Sequence, residues 1–116
     1  MPAIRKNPRL HPLDSRQLQA VAGLFAVLSE PSRLSILQVL KNGPASVGQV
    51  IQQTGFKQAN ASKQLGILQS AGVIDRRQEG NHAIYSIEME LVFDLCELVC
   101  KGIADQAADY ADSLKR

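Results

Sequence analysis

Two groups of side chains in this 116-residue sequence are spaced for chemistry. The first is Cys96 and Cys100, four residues apart in a stretch with helical periodicity. Residues at i and i+4 share a helix face, with Cβ atoms about 5–6 Å apart. A disulfide needs Cβ atoms about 3.5–4.5 Å apart, so a bridge within an intact helix is strained. A longer sulfur chain, a soft ion such as As(III) or Cu(I), or pairing across a dimer axis spans the gap better. Sulfenic acid formation requires an ionised thiol, which Lys101 favours and Asp94 and Glu97 oppose. The pair also reads as plain packing, because Cys is a small and readily buried hydrophobe. At this level the candidate sensor, Cys96 and Cys100, keeps both readings.

The second group is polar and basic. Gln58, Ala59, Asn60, Ser62 and Lys63 lie in a segment whose apolar side is Ala61, Leu65 and Leu68. Gln and Asn can hold adenine through two hydrogen bonds, Lys can approach guanine, and Ala59 can touch a thymine methyl. Small residues at 59, 62 and 66 let such a helix come close to a duplex. Arg76 and Arg77 follow in a β-rich run, where they suit phosphate or the minor groove. A solvated polar face is the bland alternative, and the adjoining turn and basic run weigh against it.

The elements that must carry these residues follow from periodicity and caps. Residues 1–12 hold Pro2, Pro8, Pro12, Arg5, Lys6 and Arg9 and read as a flexible basic arm; residues 13–116 read as one domain. Asp14 or Ser15 can cap a helix to about Leu28, with an apolar stripe of Leu18, Val21, Ala22, Phe25 and Leu28. Ser29-Glu30-Pro31 restarts the chain, with Ser29 as the expected cap, and Leu34, Ile36, Leu37 and Leu40 carry the second helix to Asn42-Gly43-Pro44. Ser46 to Gln49 is a capping box for a short third helix, Val47 to Gln53. Thr54-Gly55-Phe56 is a tight turn, and a fourth helix runs from about Gln58 to Ala71, stopped by Gly72. Two strands, Val73–Gln78 and Ala83–Ile87, flank a hairpin turn. A final helix of about 25 residues carries Val92, Leu95, Cys96, Val99, Ile103 and Ala107. The expected fold is therefore mostly α with a small β-hairpin, a winged helix-turn-helix in the order ααααββα.

Charge is distributed unevenly along this order. Residues 1–82 hold ten Lys/Arg and four Asp/Glu, net +6, and residues 83–116 hold three and seven, net −4. A basic front suggests a polyanionic partner.

Several stretches resemble a known family. Leu28-Ser29-Glu30-Pro31-Ser32-Arg33-Leu34-Ser35-Ile36-Leu37 is similar to the second-helix segment of arsenic-repressor-type (ArsR/SmtB) regulators. The run from Ala61-Ser62-Lys63-Gln64-Leu65 through Leu68, Ala71-Gly72-Val73-Ile74, Arg77, Glu79-Gly80 and Tyr85 resembles that family's recognition helix and wing. The likeness covers about residues 17–90. It implies a homodimer joined through its terminal helices and a repressor that leaves an imperfectly palindromic DNA operator when a small inducer binds. Three departures stand out: Lys57 where a capping Ser is common, Gln64 where the family has His, and Asn81 where it has a basic residue. Asn81 remains a candidate DNA contact beside Arg76 and Arg77.

The family's metal sites find no match here. The Cys-Val-Cys of metalloid sensors would fall near Leu28 to Leu34, which lacks Cys, and no His follows His82. With only His11 and His82 in the chain, no metal and no cofactor is expected. Asp105, Asp109 and Asp112 share a face, which reads as a solvated acidic surface.

Other function classes recede on composition. Apolar residues make up 45% and charged residues 21%, values of an ordinary soluble domain. The longest apolar stretch, Ala20 to Leu28, is far short of the roughly 20 residues of a membrane span, and Met1 to Lys6 lacks a signal-peptide core. A cytoplasmic protein with its two Cys as thiols is expected. An enzyme is disfavoured, because no Ser/His/Asp set, Gly-rich phosphate loop or metal triad is visible. A winged helix used for protein contacts, without an inducer site and with structural cysteines, is the alternative to a DNA-binding repressor.

Overall fold

The structure, a computed structural model, describes residues 12–115. Eight elements follow in chain order: α1 (Ser15–Leu28), α2 (Pro31–Lys41), β1 (Ala45–Ser46), α3 (Val47–Thr54), α4 (Gln58–Ser70), β2 (Ile74–Glu79), β3 (His82–Ile87) and α5 (Glu90–Leu114). Residues 1–11 of the expected arm lie outside the described residues.

The helix starts follow local chemistry. Asp14 accepts from the Gln17 N–H at 2.8 Å while the Gln17 side chain accepts from the Asp14 N–H at 3.0 Å. Ser46 and Gln49 make the same reciprocal pair for α3. Each box satisfies two N–H groups that a helix start leaves without partners. The cap of α2 is a correction: Glu30 accepts from the Arg33 N–H at 3.2 Å, with Pro31 in the first turn. Ser29 instead closes α1, its hydroxyl donating to the Ala26 carbonyl at 2.7 Å. The two-residue link leaves too little chain for Ser29 to serve both helices.

The sheet is the second correction. It has three antiparallel strands in the order β1-β3-β2, not a hairpin alone, so the element order is ααβααββα. Ala45 pairs with Tyr85 and Ser46 with Ile84. The β2–β3 hairpin turns through Gly80 and Asn81, with φ +60° at Gly80 and no positive φ at Asn81, which matches a type II′ turn.

Ile36, Leu37, Leu40, Val50, Leu65, Leu68, Val73, Tyr85 and Val92 form one core drawn from α2, α3, α4, the sheet and the start of α5. Gly72 at φ +77° turns the chain out of α4 at the surface and brings Val73 back into this core. The Val73 N–H reaches the Leu68 carbonyl and the Gly72 N–H the Gln69 carbonyl, a Schellman closure. The Val73 carbonyl then accepts from both Glu88 (3.0 Å) and Met89 (3.3 Å), tying the root of the wing and the start of α5 to the end of α4.

The two terminal helices are different. Leu28 is the only buried residue of α1 and Val92 the only one of α5. The radius of gyration is 17.8 Å, against about 13 Å for a compact 100-residue domain. Among the described residues no single helix is long and apolar enough to cross a membrane, and α1 meets α2 at 85°.

Candidate nucleic-acid interface

Helices α3 and α4 are joined by Gly55, Phe56 and Lys57. Gly55 adopts φ +77°, and its N–H closes onto the Ile51 carbonyl at 2.8 Å. The Thr54 hydroxyl donates to the Val50 carbonyl at 2.7 Å and accepts from the Phe56 N–H at 3.3 Å. Phe56 packs against the core. The turn is thus fixed by a left-handed residue that favours glycine, a hydroxyl bridging its two sides, and an apolar anchor.

Lys57 occupies the cap of α4 and makes no side-chain capping bond. The first-turn N–H groups of α4 are therefore left to solvent or to an anion, which a helix N-terminus favours. Gln58, Ala59, Ser62 and Lys63 are exposed, as is Gly66, while Ala61, Leu65 and Leu68 are buried as expected.

Asn60 differs from its neighbours. It is half-buried, and its Oδ1 accepts from the Gln64 Nε2 at 3.1 Å. Gln64 is the one buried polar side chain among the described residues, 7% exposed. Its Oε1 accepts from the Arg33 Nη1 at 2.9 Å, and Arg33 donates from Nε to the Val27 carbonyl at 2.6 Å. The chain of contacts runs from the end of α1 through α2 to α4. Sequence reasoning did not assign Arg33 or Gln64 to the site. The available signal was a Gln on the buried side of α4, which needs a polar partner.

The wing places Arg76 and Arg77 as neighbours on β2, so they point to opposite faces of the sheet. Arg76 stands opposite Tyr85 and donates to Gln78 at 3.3 Å; Arg77 stands opposite Ile84, flanked on its own face by Asp75 and Glu79. Gln78 in turn donates to the Gly80 carbonyl at 3.1 Å and stiffens the tip, where Asn81 is exposed. The two arginines and Asn81 are all solvent-facing, though not on one surface.

The cysteines lie on a separate surface. Cys96 is half-buried and Cys100 exposed. Both line a cavity of about 560 Å³ between α1, α2 and α5, with Phe25, Leu34, Lys41 and Val99 among its walls. Burial and the neighbouring Cys100 push the Cys96 thiol above its ordinary value, against a smaller lowering by Lys41. The cation beside the thiols is Lys41 of α2, not the expected Lys101. Lys41 pairs with Glu97 at 2.8 Å, which raises its own pKa, and lies 5.9 Å from the Phe93 ring centre. Among the described residues no three His, Cys, Asp or Glu side chains are grouped to hold a metal ion.

Comparison with known proteins joins these features. Residues 28–77 match the model of a helix-turn-helix domain family. The chain is 36% identical over 89 residues to the HTH-type transcriptional regulator Rv0081 of Mycobacterium tuberculosis, covering 76% of this chain and 78% of that protein. The crystal structure of Rv0081 superposes with a TM-score of 0.73, covering 84% of this chain and 99% of that one. The homodimeric winged helix-turn-helix DNA-binding domain of Mb0332 from Mycobacterium bovis, described as a possible ArsR-family transcriptional regulator, is 31% identical at a TM-score of 0.71, covering 90% and 92%. The transcriptional repressor BigR from Xylella fastidiosa is 31% identical at 0.68, covering 72% and 86%.

Proposed function

From the premise that this chain belongs to the arsenic-repressor-type family of winged helix-turn-helix transcriptional regulators, we propose that it is a homodimeric repressor of an imperfectly palindromic operator. The observation that carries this reading is α4 itself. It has a rigid turn before it, an uncapped N-terminus, a small and polar exposed side, and an arginine-bearing wing after it. Gln58, Ala59, Asn60, Ser62 and Lys63 then face base edges, while Asn81 at the wing tip and Arg76 and Arg77, one on each side of the wing, supply contacts to phosphates or the adjacent minor groove.

Dimerisation is supported by what the protomer leaves uncovered. Leu18, Val21 and Phe25 of α1 and Leu98, Val99, Ile103 and Tyr110 of α5 are exposed, Leu98 to 72%. A second copy, brought up on a two-fold axis, buries both helices and sets two α4 helices about 34 Å apart for successive half-sites.

The inducer reading concerns Cys96 and Cys100. They line an apolar cavity next to the proposed dimer surface, so modification of a thiol there changes packing where spacing is set. A coupling of about 1–3 kcal/mol changes operator affinity about 5–150-fold.

The test is fluorescence anisotropy with DNA from upstream of the protein's own gene. Reduced protein, protein treated with polysulfide or mild oxidant, and a Cys96→Ser/Cys100→Ser variant are compared. Tight, salt-dependent binding lost only in treated wild type supports the full reading. Binding indifferent to treatment keeps the repressor and makes the cysteines packing residues. A dimer with no sequence-preferring affinity turns the reading toward a protein-contact module.

A further inference from the structure

The contacts around Gln64 have a direction, set by the one group in them that cannot reverse. A guanidinium carries donors and no acceptor. The Arg33 Nη1, 2.9 Å from Gln64, therefore requires the Gln64 oxygen to face it. Arg33 is itself held by the Val27 carbonyl at 2.6 Å and the Ala26 carbonyl at 3.5 Å, and its N–H is bound by Glu30. With its oxygen turned to Arg33, Gln64 presents Nε2 to its other neighbour. That neighbour is Asn60, whose Oδ1 accepts at 3.1 Å. Asn60 is thereby turned oxygen inward, and its amide N–H group is what it has to give.

The consequence differs from what the residue type alone suggests. An Asn that reads adenine through two hydrogen bonds must accept from the adenine amino group as well as donate to N7. Here the accepting atom is engaged inside the protein. Guanine presents two acceptors, O6 and N7, on its major-groove edge and no donor there. We propose that Arg33 and Gln64 are positioning residues that hold Asn60 as a donor toward DNA, so that it favours guanine over adenine at the base pair it meets. The proposal rests on the reading that α4 enters the major groove.

Gln64→Glu inverts the relay. A carboxylate still accepts from Arg33 and has no N–H for Asn60, so Asn60 turns its amide nitrogen inward and its oxygen outward. Gln64→Met removes both bonds at similar volume. Competition anisotropy against operators altered one base pair at a time under α4 reads the outcome as ratios, in which any uniform loss of affinity cancels. Wild type is expected to favour guanine over adenine at one position by about 5–150-fold. Gln64→Met should bring that ratio to within about twofold of one, and Gln64→Glu should reverse it toward bases with an exposed amino group. Circular dichroism and thermal unfolding check that both variants fold.

Unchanged base ratios in folded Gln64→Met and Gln64→Glu overturn the proposal. So does an Asn60→Ala variant that weakens all sequences equally, because Nδ2 is then on phosphate rather than on a base edge. Asn60→Ala and Lys63→Ala on the same operators separate the two levels. If both bind as wild type, the groove reading fails and the proposal with it. If both lose discrimination while the Gln64 variants keep theirs, only the relay fails.

Discussion

The segment from α2 to β3 and the two terminal helices solve opposite problems with similar residues. Between Pro31 and Ile87, leucine, isoleucine and valine close a core in which Ile36, Val50, Leu65, Leu68 and Val73 are fully buried. In α1 and α5 the same residue types stand open, with Leu18, Phe25, Leu98 and Ile103 all more than half exposed. The first region closes its core within one protomer, with Leu28 of α1 and Val92 of α5 added to it. The second has apolar stripes at helical spacing with nothing among the described residues to cover them. The position of each polar group follows this division: Gln64 is satisfied inside the first region, whereas the thiols line the cavity beside the second.

The sharpest way to break this comparison is a pair of substitutions. Leu68→Ala should cost about 2–5 kcal/mol in chemical denaturation, because it opens a cavity in a closed core. Ile103→Asp should leave the helical circular dichroism signal intact and convert a sedimenting dimer to a monomer. A dimer that persists in Ile103→Asp, or a Leu68→Ala chain as stable as wild type, would overturn the division.

Smaller effects sharpen it. Lys63→Ala should cost about 1–3 kcal/mol of operator affinity and relax sequence preference, read by anisotropy. Arg76→Ala should weaken all sequences alike and reduce the slope of log affinity against log salt by about 1. Equal slopes for Arg76→Ala and wild type would remove that side chain from the phosphates.

The smallest effect is on the thiols. Burial raises the Cys96 pKa, so its alkylation rate in a Cys100→Ser variant should still be climbing with pH above the ordinary thiol range. Lys41 lowers that pKa, so Lys41→Met should move the midpoint further up. A midpoint near neutral pH would show that burial does not govern this thiol.

How much of this was legible in the sequence depended on range. The cap at Asp14, one of two candidates with Ser15, the capping box at Ser46, the stop at Gly72 and the turn at Gly80 are each decided within a few residues. The apolar face of α4 was read from spacing alone. Strand β1 was not, because two residues have no periodicity and owe their conformation to Tyr85 and Ile84, far along the chain. Swapping Ser29 for Glu30 as the α2 cap turned on how tightly α1 and α2 adjoin. Arg33, Gln64 and Lys41 matter through partners 31 or more residues away, which spacing within a helix cannot reveal. The named DNA contacts stand on exposed or half-buried positions.

The joint at Val73 has a mechanical consequence. Its carbonyl holds the start of α5, and its N–H closes the end of α4, so both helices are bonded to one residue. Helix α4 has 13 residues, a rod of about 20 Å. A tilt of about 10° at that residue swings the far tip, where Gln58 sits, by about 3 Å for a rod of this length. That exceeds the tolerance of a hydrogen bond to a base edge. Val73 is thus the residue whose backbone bonds both helices, and a tilt of α4 about it would move Gln58 far more than Leu68.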